Sequence, residues 1–187
     1  MNRLIPSLAL CIAGLVATPF ASATVLTFED IAGDGPVAAN YGGLDWSHGD
    51  WSVFGGEQAP FTAASGSMRI ATGFGDDDSA SAIGLGAGKT FQGAWFAGYE
   101  DVTVTFKLYD HGALVATSTT LATSAKPTWL DSGYTGLVDQ VIVASNAQDG
   151  FSMDDFTFAT AVPEPASTAL MAAGLLTLAA TAIRRRA

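Results

Sequence analysis

Val102-Thr103-Val104-Thr105-Phe106-Lys107-Leu108-Tyr109 is the stretch that decides the fold class. Val102, Val104, Phe106 and Leu108 alternate with Thr103, Thr105, Lys107 and Tyr109. A two-residue repeat of this kind is a strand with one buried face. Asp110-His111-Gly112 then supplies a turn, and 113–121, rich in Val and Thr, reads as the returning strand of a hairpin. Further strands are expected at 24–29, 67–72, 79–85, 90–97, 137–144 and 151–159, with Gly, Asn, Asp and Ser in the gaps. No amphipathic helix of useful length occurs between 24 and 162. Many short strands between turn residues predict an all-β fold, a sandwich or barrel. The expectation is a jelly-roll-like β-sandwich.

The two ends differ from this middle. Arg3 opens a basic n-region, 4–16 is apolar, and Ala21-Ser22-Ala23 is a small-x-small cleavage site. That is the three-part plan of a secretory signal peptide, which places the mature N-terminus at Thr24. Cys11, the sole cysteine, lies within it, so the exported chain has no thiol for a disulfide or a thiolate metal site. At the other end Pro163-Glu164-Pro165 breaks any regular element. An uncharged run, 166–183, follows. As a helix it would be roughly 27 Å long, close to the hydrocarbon thickness of a bilayer. Arg184, Arg185 and Arg186 come next, and arginines stay on the cytoplasmic side. The expected organisation is a signal peptide over 1–23, an extracytoplasmic β-domain over 24–161, and a tail over 162–187 with a transmembrane helix.

The order Val162-Pro163-Glu164-Pro165-Ala166-Ser167, one hydrophobic span and a final arginine cluster resembles the PEP-CTERM sorting signal of Gram-negative bacteria. The resemblance covers about the last 25 residues. It implies recognition by an exosortase, processing of the tail after a transient stay in the inner membrane, and delivery to the cell envelope, cell surface or extracellular matrix. It also implies an association with exopolysaccharide and biofilm systems. The middle resembles ectodomains that travel with such tails, and these are similar to the jelly rolls of carbohydrate-binding modules. Its matching pieces are Leu26-Thr27-Phe28-Glu29, Tyr41-Gly42-Gly43-Leu44-Asp45-Trp46, Phe106 to Gly112, Leu137-Val138-Asp139-Gln140-Val141 and Phe151-Ser152-Met153-Asp154-Asp155-Phe156. A shared fold does not confer a function.

Between residues 24 and 162 seventeen acids face four bases, Arg69, Lys89, Lys107 and Lys126, a net charge of −13. Such a surface argues against nucleic acid and anionic membranes as partners. It suits solubility outside the cell and the binding of cations. Glu29, Asp30, Asp154 and Asp155 form the candidate metal set. Alternation along 151–159 points either Asp154 or Asp155 along an apolar face unless a bulge intervenes. A buried carboxylate needs a partner, and a structural Ca²⁺ would be one. The competing reading is acids at a strand edge facing water. Asp76-Asp77-Asp78 lacks the spacing of a calcium loop and reads as a solvated turn.

Trp46 and Trp51 flank Ser47-His48-Gly49-Asp50, a loop pattern, and are the candidate sugar-contacting residues. Ordinary core packing is their alternative. No catalytic residues are assigned. His48 and His111 sit in turn-like contexts, and no nucleophile elbow, zinc-protease motif or phosphate loop occurs. Three classes of function remain: a non-enzymatic envelope protein that contacts polysaccharide, a secreted carbohydrate-active enzyme, and a self-assembling matrix component.

Overall fold

The structure, a computed structural model, describes residues 22–72, 81–161 and Gly174. The signal segment up to Ala21, the Asp76-Asp77-Asp78 turn, the PEP motif, the apolar run 166–183 and the arginine cluster lie outside the described residues, Gly174 excepted. Among the described residues no helix is long and apolar enough to cross a membrane.

Two antiparallel sheets make up the domain. The larger has seven strands: β1 (Ala23–Leu26), β2 (Gly35–Pro36), β3 (Ser52–Phe54), β4 (Arg69–Ala71), β6 (Lys89–Gly98), β10 (Thr128–Asp131) and β12 (Phe151–Thr160). Its order is β10-β6-β12-β4-β3-β2, and β1 also lies against β12. The smaller has five: β5 (Ser81–Gly84), β7 (Thr103–Asp110), β8 (Ala113–Thr117), β9 (Leu121–Ala122) and β11 (Gln140–Ser145). Its order is β5-β11-β7-β8, with β9 beside the start of β7. The all-β, sandwich-like expectation therefore holds. Strands β2, β3 and β10 were not expected, and the strand expected over 113–121 is split into β8 and β9. The three unexpected strands are short, and β10 carries Trp129 and a lone buried Leu130 rather than an alternating pattern.

The predicted hairpin forms as β7–β8, closed by Asp110 opposite Ala113. His111 and Gly112 both have positive φ, 51° and 76°. This is the twist that a two-residue hairpin turn requires, and it explains the glycine. The alternation along β7 buries Val104, Phe106 and Leu108 completely. Across the sandwich they meet Phe91, Phe96, Phe151, Met153 and Phe156. The Phe106 ring lies 4.7 Å from that of Phe91 and 5.5 Å from that of Phe96, both centroid to centroid. Each such side chain contributes about 1.5–3 kcal/mol of burial, so this seam holds the two sheets together.

Strand β12 joins the core to the site. Phe151 and Met153 face the core, yet so do Phe156 and Phe158, which strict alternation would place on the opposite side. A register shift between Asp154 and Thr157, with Asp155 at φ 49°, resolves the conflict. The bulge inserts one residue and returns Phe156 to the core. It leaves Asp154 opposite Trp95 on the outer face of the sheet. Beyond the bulge β1 takes over from β4 as the neighbour of β12. A chain beginning at Thr24 would keep the pairs of Thr24, Val25 and Leu26 with that strand.

Candidate functional site

Between β3 and β4 the chain leaves the sheet and runs from Gly55 to Met68 without regular structure. The segment is small-residue and polar, so nothing in its own sequence would hold it in place. Its anchors come from strands β4 and β12 and from the turn between β1 and β2. Asp34 accepts the Gly55 N–H at 2.9 Å. Arg69 Nη1 donates to the carbonyls of Gly56 (2.5 Å) and Ser67 (2.9 Å). Asp154 Oδ2 accepts the N–H groups of Ala64 (2.8 Å) and Ser65 (3.0 Å), and the Ser65 hydroxyl donates to Asp155 at 2.7 Å. Glu29 Oε1 accepts the N–H groups of Ser67 (2.8 Å) and Met68 (2.5 Å). Gly66 sits against that carboxylate at φ 53°, where a Cβ would overlap it.

Three of the four sequence-predicted acids, Glu29, Asp154 and Asp155, thus converge on one excursion. The fourth, Asp30, does not; it accepts a 2.5 Å hydrogen bond from the Tyr41 hydroxyl. Burial of Tyr41 and this bond push the phenol above its usual range. The partner of the buried carboxylate is backbone. Asp154 is 2% exposed, and its Oδ1 accepts the Asp155 N–H at 2.7 Å beside the two bonds to Oδ2. Desolvation still dominates and pushes its carboxyl up to about 6. Among the described residues the four acids supply no group of three whose ligand atoms lie within 4.8 Å of one another. Asp110, His111 and Asp139 do. There His111 Nδ1 lies 2.9 Å from Asp110, Asp139 accepts the His111 N–H at 2.7 Å, and the imidazole is 84% exposed. Hydrogen bonding within a solvated turn accounts for that arrangement.

Trp46 and Trp51 require a correction. Both are 2% exposed and belong to the core. Trp46 packs edge-on against Phe28, Trp51 and Phe156 with centroids 5.9–6.1 Å apart, and its indole N–H donates to the Tyr41 carbonyl at 2.9 Å. The loop pattern around them is real, but the chain folds inward and large rings are worth most when buried. Trp95, in β6, is half-buried and paired with Trp129 at 5.9 Å.

A second group of accessible aromatics lies along the excursion. Phe54, Phe61 and Tyr99 form a file of edge-to-face rings with centroids 6.3 Å and 5.3 Å apart. Phe54 and Phe61 are half-buried and Tyr99 is 51% exposed. The Arg69 guanidinium lies 4.2 Å from the Phe54 ring centroid and stiffens the near end of the file. Burial pulls that guanidinium down from its usual value, opposed by the Asp154 and Asp34 charges. A cleft of about 450 Å³ is lined by the first two of these rings, Phe54 and Phe61, with Asp34, Ser52, Gln58 and Asp149 among others. A second depression of about 510 Å³ shares Gln58 and Phe61 with it. Phe61 was not singled out by sequence. Its only signal was a lone aromatic, after Pro60, in a stretch of mostly small and polar residues.

Beyond this domain, a family model described as the PEP-CTERM protein-sorting motif matches residues 161–186. The chain carries a PEP-CTERM sorting tail. It is therefore an exported protein of the exosortase-sorted kind, consistent with a place in the cell envelope. The PEP-CTERM match begins at the last residue of the described domain and leaves the ectodomain to be read from its own geometry. No curated protein matches the chain.

Proposed function

We propose that this protein is a non-enzymatic, jelly-roll-like envelope module that contacts extracellular polysaccharide through the cleft lined by Phe54 and Phe61. The observation that carries the reading is the file of accessible rings beside a preformed cleft with amide, hydroxyl and carboxylate groups on its walls. Sugar rings present C–H faces to aromatic side chains and hydroxyls to such polar groups. The signal peptide, cleaved between Ala23 and Thr24, starts export in a Gram-negative cell. The apolar run 166–183 holds the chain in the inner membrane until an exosortase processes the tail, and the product joins the exopolysaccharide or biofilm matrix. A binding role is favoured over hydrolysis by the use of Asp154. It is the buried carboxylate among the described residues, and three N–H donors, two from the excursion and one from Asp155, already occupy it.

Affinity electrophoresis of the detergent-solubilised full chain through gels containing extracellular polysaccharides tests this. Retardation of the wild type, lost in Phe61→Ala, is expected. Equal mobility of both proteins in every polysaccharide would sink the binding reading and leave self-assembly ahead.

A further inference from the structure

The charge around the cleft narrows its ligand. Asp34 and Asp149 line the cleft beside the rings, and Glu57 lines the adjoining depression. No lysine or arginine lines either one among the described residues. Arg69 is buried with its guanidinium over the Phe54 ring and Nη1 committed to two carbonyls, and its charge acts on Asp34 and Asp154 but not on Asp149 or Glu57. The wall that a ligand meets is therefore aromatic and anionic, on a domain already at −13 between residues 24 and 162.

We propose that the cleft selects amino sugars bearing free ammonium groups, the ring face lying on Phe61 and the ammonium between Asp34 and Asp149. This rests on the polysaccharide reading above and sharpens it. A uronic acid would bring a like charge to both carboxylates, and an N-acetylated sugar would offer the same ring without the cation. Exposed carboxylate–ammonium contacts are each worth a few-fold in an equilibrium constant. Two of them give a preference of about tenfold, equivalent to about 1.4 kcal/mol. Added salt reduces it, because both partners are solvated.

Isothermal titration of the full chain in nonionic detergent decides it, at low salt and at a pH where amines are charged and carboxylates ionised. The probes are a glucosamine oligomer, the same oligomer N-acetylated, an oligogalacturonate and trilysine. The glucosamine oligomer is expected to bind about tenfold tighter than the acetylated one, with no oligogalacturonate binding. Asp149→Asn alone, an exposed change, should lower that preference, and Asp34→Asn with Asp149→Asn should abolish it; asparagine at position 34 keeps an acceptor for the Gly55 N–H. Equal binding of the two glucosamine oligomers would overturn the inference and leave the polysaccharide reading standing. Trilysine binding as tightly as the glucosamine oligomer would overturn it too, by showing that charge alone suffices. A preference that survives the double substitution would put the ammonium elsewhere and overturn the assignment to this cleft. Absence of binding by both glucosamine oligomers would overturn this inference, and the polysaccharide reading would then rest on the gel electrophoresis above.

Discussion

Replacing Asp154 with asparagine asks how a buried carboxylate is carried in this fold. The side chain is 2% exposed, on the outer face of the larger sheet, beneath residues 64 and 65. Desolvation raises its carboxyl from an ordinary 3.8 to about 6, although the N–H groups of Ser65, Asp155 and Ala64 pull the other way. Between those values the folded chain holds a proton that the unfolded chain has released. This group's contribution to stability is therefore full below about pH 4 and is lost as pH rises through about 6. A separation of about two pH units corresponds to about 3 kcal/mol. The acidic domain also repels itself more at high pH, so the wild type alone cannot isolate the effect. The substituted amide cannot titrate. It keeps one acceptor and turns a donor toward an N–H group, costing about 1–3 kcal/mol at every pH. The quantity to read is the wild-type minus Asp154→Asn stability, from urea unfolding of residues 22–161 at fixed ionic strength. It should fall by about 3 kcal/mol from pH 4 to pH 7.5. Parallel stabilities across that range would mean that Asp154 titrates as an exposed acid does. A difference that grows with pH would mean that the N–H donors outweigh desolvation, and the reasoning would be refuted.

Other perturbations probe the same scaffold. Gly66→Ala drives a Cβ into the Glu29 carboxylate at φ 53°, so it should free the 55–68 excursion to proteolysis and cost at least about 1 kcal/mol in thermal unfolding. At φ 51° in the hairpin turn His111 is a poorer choice than asparagine, so His111→Asn should stabilise by about 0.5 kcal/mol in urea unfolding. Because N–H donors already serve Glu29 and Asp154, calcium should leave the melting temperature within a degree or so of its value in EDTA; a rise of several degrees would restore the ion to the account.

Much of the fold was legible because its signals are local. The alternation of 102–109 and the glycine after His111 state the hairpin outright, and the tail is a linear motif. The bulge in β12 was legible only as a conflict: Phe151 and Met153 against Phe156 and Phe158 demand opposite faces until one residue is inserted. What was not legible depends on distant contacts. Trp46 and Trp51 flank a loop pattern that leaves both a contact surface and ordinary core packing open in the sequence, and the approach of Phe28, Phe151 and Phe156 decides for core. The role of Asp154 lies 90 residues away in Ala64. Phe61 became a site candidate only when Phe54 and Tyr99 arrived on either side of it.

The central claim is that polysaccharide meets this protein at the cleft lined by Phe54 and Phe61. Mapping amide chemical shifts of residues 22–161 during titration with a glucosamine oligomer tests it most directly. The account predicts shifts concentrated at 54–61, Asp34, Tyr99 and Asp149, with β7, β8 and β11 of the smaller sheet unmoved. Shifts confined to the smaller sheet, or no shifts at saturating oligomer, would contradict it.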